Sequence, residues 1–232
     1  MEDWSNEKMK ERGAGRRTMA DGTGLVLDAP TAALVRVAAA LARGKAPELQ
    51  ARFAAARDAR VPGMWIEELL LQSMLVVGYP LALVAFAAWR GVGGPAPVEG
   101  GAEGLAHADW ESWAARGETV CREVYGRAYH KLLVNLRALH PALEDLVLVD
   151  AYGKVIGRPG LDLKRRELCT VAATAVLGTA DQLHSHLRGA LNTGAAAEEI
   201  EAMLALLEPD LDAEHRQLVR EQWTDVKSRK LA

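Results

Sequence analysis

Glu167, Thr170 and Thr174 stand at i, i+3 and i+7, and the stretch "DQLHSHLRGALNTGA" that follows (residues 181–195) carries His184, His186 and Arg188. A carboxylate near an imidazole is the minimal equipment for moving a proton. The two histidines, two apart on a helix, point about 200° away from one another. They cannot share an ion easily. With neither an HxxxH spacing nor a supporting carboxylate cluster, the sequence predicts no metal site. Leu183, Leu187, Ala190 and Leu191 form the apolar stripe of that helix, so the histidines flank it on opposite sides. Folding the helical hairpin about residue 179 sets His186 opposite Ala172, with Glu167 about 7 Å further along at helical rise. The expected link between Glu167 and His186 is therefore a bridging water. The competing reading is structural, with Glu167 favouring its helix N-terminus and the threonines bonding back to carbonyls.

Arg188, and Arg158 in "GRPGLD", are the candidate cations for a carboxylate, and Thr170 is a further candidate substrate-binding residue. Cys121 and Cys169 are the only cysteines. They form no CxxC pair and no disulfide framework, which suits a reducing cytoplasm and excludes thiolate zinc sites. Cys169, in apolar surroundings, reads as a packing thiol.

The elements that must position these groups are helical. Half of the residues are apolar and 5% aromatic in a chain of 232, which favours close-packed helices and an all-α fold. Residues 1–23 read as a disordered tail, with Met19 an alternative start. Helices follow in "PTAALVRVAAALARG", from about Pro47 to Arg57, and in "MWIEELLLQSMLVV", where "GYP" breaks the pattern before "LALVAFAAWRG". A Gly/Pro-rich linker over 93–108 separates this unit, 24–92, from a second, 109–232. The second unit ends in three helices, Lys164–Leu177, Gln182–Asn192 and Ala196–Leu207, and a charged amphipathic helix. "LLLQSMLVVGYPLALVAFAAW" is interrupted by Gln72, Ser73, Gly78 and Pro80, so a buried helix pair is expected and no membrane span. The net charge of −3 leaves no basic face to neutralise phosphates, so nucleic acid is not an expected partner.

A gapless shift of 134 residues superposes Leu34 on Leu168, Val37 on Val171, Gly44 on Gly178, and Ile66, Glu67 and Leu70 on Ile200, Glu201 and Leu204. The chain reads as two tandem helical repeats. At the same shift, Glu167 falls on Ala33, His184 on Gln50, His186 on Arg52 and Arg188 on Ala54. The polar set exists in the second repeat only, which is where chemistry is expected.

From Arg116 to about Leu207 the segments "RGETVCREVYG", "AYGKVIGRPGLDLKRREL", "SHLRGALNTGA" and "EEIEAML" occur in order. This block resembles the carboxymuconolactone decarboxylase family and, more loosely, the AhpD-like superfamily. The resemblance implies an AhpD-like all-helical fold, assembled as a homo-trimer or homo-hexamer with sites near subunit interfaces. It also selects His186, the histidine preceding the [LIV]-R-G-A-L run. In the AhpD-like branch a glutamate, two cysteines and a histidine form the site; Glu167 and His186 match the outer members, but Thr179 and Gln182 occupy the cysteine positions. Disulfide chemistry then lacks both its thiols. The decarboxylase branch implies a cofactor-free lyase of aromatic-compound catabolism acting on a small carboxylated lactone or related acid. His186 would be proton donor, Glu167 its partner, and Arg188 or Arg158 the carboxylate clamp. A non-catalytic helical oligomerisation or small-ligand-binding protein is the alternative. Two departures from the family pattern stand out: Lys154 replaces a common glutamate, and the closing G-[FVY]-P segment is found in the first repeat alone.

Overall fold

The computed structural model describes residues 26–95 and 109–230, so the tail expected over 1–23 and most of the linker expected over 93–108 lie outside the described residues. Among them the regular structure is helical throughout. The first repeat consists of α1 (Ala29–Arg43), α2 (Ala46–Asp58) and α3 (Gly63–Gly91). After the linker come α4 (Trp110–Tyr125), α5 (Tyr129–Leu139), the short α6 (Leu143–Asp145) and a π-helix over Leu146–Ile156. The second repeat is α7 (Leu163–Leu177), α8 (Ala180–Asn192), α9 (Ala197–Leu207) and α10 (Ala213–Lys230).

The repeat is visible in the helix bounds. α1 and α7 are both 15 residues long, α2 and α8 both 13, and each pair starts 134 positions apart. Asp28 and Asp162 cap their helices by accepting from Thr31 N and Arg165 N. Gly44 and Gly178 end them in the left-handed conformation at φ 65° and 67°, where a side chain would be strained. The second repeat lacks the G-[FVY]-P motif, yet the expected charged helix at its end, α10, stands where the closing segment stands in the first. Trp89 donates Nε1–H to Glu67 Oε1 at 2.6 Å, and Trp223 donates to Glu201 at 3.3 Å, so α10 occupies the place of the second half of α3. What differs is the break before it. In α3 the chain turns at Gly78, with φ 75° and ψ 167°; in the second repeat Asp212 performs the turn by capping His215 N.

α1 and α7 pack together, with Arg165 donating to Thr31 Oγ1 at 2.8 Å and pairing with Asp28. One apolar core therefore runs through both repeats: Leu34, Val37, Phe53 and Ile66 join Leu168, Val171, Leu183 and Met203. It does not divide at the 93–108 linker. A smaller cluster of Cys121, Val124, Tyr129, Leu133, Tyr152 and Ile156 lies between α4, α5 and the π-helix. Here Gly117 and Gly153 let two backbones touch, since a Cβ on Gly117 would overlap Leu148 O and one on Gly153 would overlap Trp113 O.

α3 is long and apolar enough to cross a membrane by length and composition. Its Glu68, Gln72 and Ser73 are nevertheless buried in the protein. Glu68, from the first repeat, accepts from Arg166 of α7 at 2.9 Å and from Arg158, in the connection before α7, at 3.1 Å. Arg166 is fully buried and also donates to Leu161 O and Arg158 O. Paired in this way, the buried charges fix α3 against α7.

Candidate active site

α7 and α8 form an antiparallel hairpin across Gly178, and on it the imidazole of His186 meets Glu167 directly. Nδ1 lies 2.9 Å from Glu167 Oε2, with the side chains 15% and 2% exposed. The expected bridging water and 7 Å gap are corrected. The reason is Gly189, one helical turn beyond His186: a Cβ there would overlap Glu167 Oε2, so its absence gives the carboxylate room to lie against α8. The two side chains then span the remaining rise. A carboxylate accepting from Nδ1–H fixes the tautomer and leaves Nε2 for the cavity that His186 lines.

That cavity, about 300 Å³, opens between both repeats and the π-helix. α7 and α8 contribute Glu167, Thr170, Thr174, Leu177, Thr179, Gln182 and His186; α4 and the π-helix contribute Tyr125, Val147, Ala151, Tyr152 and Ile156. The first repeat adds Gln72, Leu75 and Val76 from α3. Gln72 donates to Thr170 Oγ1 at 2.8 Å and Arg166 O at 2.9 Å. Thr170 also donates to Arg166 O, and Thr174 to Thr170 O. Thr170 thus lines the cavity with its hydroxyl proton already committed. The rings of Tyr125 and Tyr152 meet edge to face at 6.2 Å. Burial first, and the Glu167 charge further on, push the Tyr125 phenol up to about 12; Tyr152 is raised well above the ordinary tyrosine value by burial. Both are neutral hydroxyls across the physiological range.

The two expected clamps are elsewhere. Arg158 is held by Glu68 and does not line the cavity; Arg188, two residues from His186, projects from another side of α8 toward Asn192 and Tyr125. Among the described residues no lysine or arginine lines the cavity. Lys154 pairs with Asp150 at 2.6 Å and lies over the Trp113 ring. His184 sits 3.4 Å from Asp225 on the far side of α8, as its spacing from His186 requires. Sequence reasoning missed Gln72, Tyr125, Tyr152 and Gly189. The "RGAL" glycine could have been found as a place of close approach, but nothing local marks Gln72.

The corresponding region of the first repeat is closed by charge. Arg52, in the place of His186, pairs with Asp210 at 3.2 Å, and Arg43 pairs with both Asp210 and Glu48. The internal duplication holds one His–Glu pair.

Two predictions arise here. Gly189→Ala is expected to push Glu167 away from His186, costing about 1–3 kcal/mol as an overpacked core site. Thermal melting checks the cost, and a crystal structure of the variant checks the loss of the 2.9 Å contact. The second concerns the thiols. Burial, then the Glu167 charge, pushes Cys121 up to about 12, and burial pushes Cys169 up further in the same direction. Since the thiolate is the reactive form, native protein at pH 8 should resist iodoacetamide at both positions and react at both in urea. Fast labelling of either native thiol would show an accessible nucleophile.

The sequence signature of the carboxymuconolactone decarboxylase family matches residues 147–220, which run from the π-helix into α10 and include Glu167 and His186. The 4-carboxymuconolactone decarboxylase of Acinetobacter baylyi is 32% identical over 90 residues, covering 38% of this chain and 67% of that protein. Peroxisomal protein 2 of Schizosaccharomyces pombe is 27% identical over 136 residues, 58% of this chain and 63% of that one. With its helical hairpin, its repeat and this match in hand, the chain belongs to the carboxymuconolactone decarboxylase family.

Proposed function

We propose that the protein is a cofactor-independent acid–base catalyst that decarboxylates a small carboxylated lactone or related acid. The observation that carries this reading is the 2.9 Å Glu167–His186 pair on the wall of a cavity with otherwise neutral lining. The carboxylate-bearing carbon of such a lactone can release CO2, the bonding electron pair passing into the conjugated lactone as an enolate. Protonated His186 then gives its Nε2 proton to the carbanionic carbon and recovers one from solvent. Glu167 accepts from Nδ1–H and holds the ring so that Nε2 faces the substrate.

The imidazolium also replaces the missing arginine. In a cavity whose polar groups besides Glu167 are hydroxyls and amides, it is the positive charge nearest to the departing carboxylate and the forming enolate. Gln72 and the tyrosine hydroxyls are the neutral donors available for the lactone oxygens. The apolar walls, Leu75, Val76, Val147 and Ile156, keep a small planar ring dry enough for that charge to matter. Because α3 lines the cavity, both repeats are required for the site.

The test is CO2 release from 4-carboxymuconolactone and related lactone acids. Turnover above the buffer rate supports the proposal. Tight binding without CO2 release would instead assign the cavity to ligand binding.

A further inference from the structure

Behind Tyr125, on the side of α8 away from His186, lies a second cavity of about 490 Å³. Three arginines from three elements face it: Arg127 from the turn after α4, Arg188 from α8 and Arg229 from α10. A small recess of about 40 Å³ beside it is lined by His184, Ser185 and again Arg188. The acidic group at its edge is Asp225, which is engaged by Arg229 at 3.1 Å and by His184 at 3.4 Å. Arg127 and Arg188 have no acidic partner among the described residues.

Two guanidinium groups without an acidic partner line one groove, Arg188 partly buried and Arg127 exposed, so both forks are available to an incoming anion. Each presents a planar fork suited to two oxygens of a carboxylate or phosphate. Leu191 and Val226 add apolar wall, and the volume is in the range of small-molecule sites. The Asn192 amide nitrogen is spent on Val124 O, leaving its oxygen at the rim. We propose that this groove binds a small organic dianion whose two anionic groups are held by Arg127 and Arg188. The site is separate from the His186 cavity and stands whether or not that cavity is catalytic.

Calorimetric titration with succinate and with inorganic pyrophosphate, at about 0.15 M salt to screen diffuse attraction, tests it. Binding of succinate alone identifies a dicarboxylate ligand, and binding of pyrophosphate alone a phosphate ligand; either supports the site. Arg188→Gln and Arg127→Gln should each weaken binding by about tenfold or more. Arg220→Gln, which removes the same charge from another face of α10, should leave it unchanged, as should His186→Ala. No binding of either anion below 10 mM, a scale at which an arginine-held dianion must register (~mM or tighter), overturns the proposal. So does equal affinity in Arg188→Gln and Arg220→Gln, or loss of binding in His186→Ala.

Discussion

Glu68→Leu is expected to destabilise the protein by about 3–5 kcal/mol, the cost of leaving a buried charge uncompensated. Glu68 is 3% exposed and its two cationic partners come from beyond the linker, Arg166 of α7 at 0% exposure and Arg158 just before α7 at 13%. Removing the carboxylate takes from the fully buried Arg166 the anion it pairs with in the seam between α3 and α7. For a chain of this size the loss corresponds to a drop in melting temperature of about 6–20 °C. Adding Arg166→Met removes the buried charge that has lost its partner, so the double variant should recover part of the loss. A Glu68→Leu protein that melts within 2 °C of wild type would mean the pair contributes little to joining the repeats (about 0.5–1 kcal/mol at this scale). The same seam fixes Gln72, one turn further along α3, so a destabilised seam should also degrade the cavity wall.

The second large effect is on turnover. Glu167→Gln keeps the shape of the side chain but removes the carboxylate that accepts from Nδ1–H and orients the ring, so decarboxylation should slow by about 10²-fold. His186→Ala removes the proton donor itself. Because the two residues act as one unit, the double variant should be no slower than His186→Ala beyond a small factor, roughly threefold, rather than showing the product of the two losses. Independent, multiplicative effects would mean that Glu167 acts on something other than His186. Thermal melts on the same samples separate a catalytic loss from unfolding, which matters because Glu167 is itself buried.

The helices of the two repeats were legible in the sequence because their breaks rest on local chemistry, whereas nothing local announced the π-helix over Leu146–Ile156. Gly44 and Gly178 terminate, and the gapless 134-residue shift carries one set of bounds onto the other; the capping roles of Asp28 and Asp162 emerged only in the structure. The closing helix of the second repeat was read as a charged amphipathic helix, but its equivalence to the second half of α3 was not, because Asp212 starts it with a side-chain cap where the first repeat uses Gly78 and Pro80. The site was half legible. Glu167 and His186 could be picked out by type, yet their contact could not, since an estimate from helical rise ignores side-chain reach and the space left at Gly189. Gln72 stands 98 residues from its partner Thr170, and no spacing rule spans that distance. The arginines failed as clamps because ion pairing and helix rotation, decided in three dimensions, send Arg158 to Glu68 and Arg188 to the opposite groove.

The most direct test of the His186–Glu167 pair as the proton-transfer device is the rate of CO2 release from 4-carboxymuconolactone by wild type and His186→Ala at equal folded concentration. The expected result is a fall of about 10²–10⁴-fold in the variant, partly restored by added imidazole that enters the space the ring vacated. Equal rates in the two proteins would contradict it.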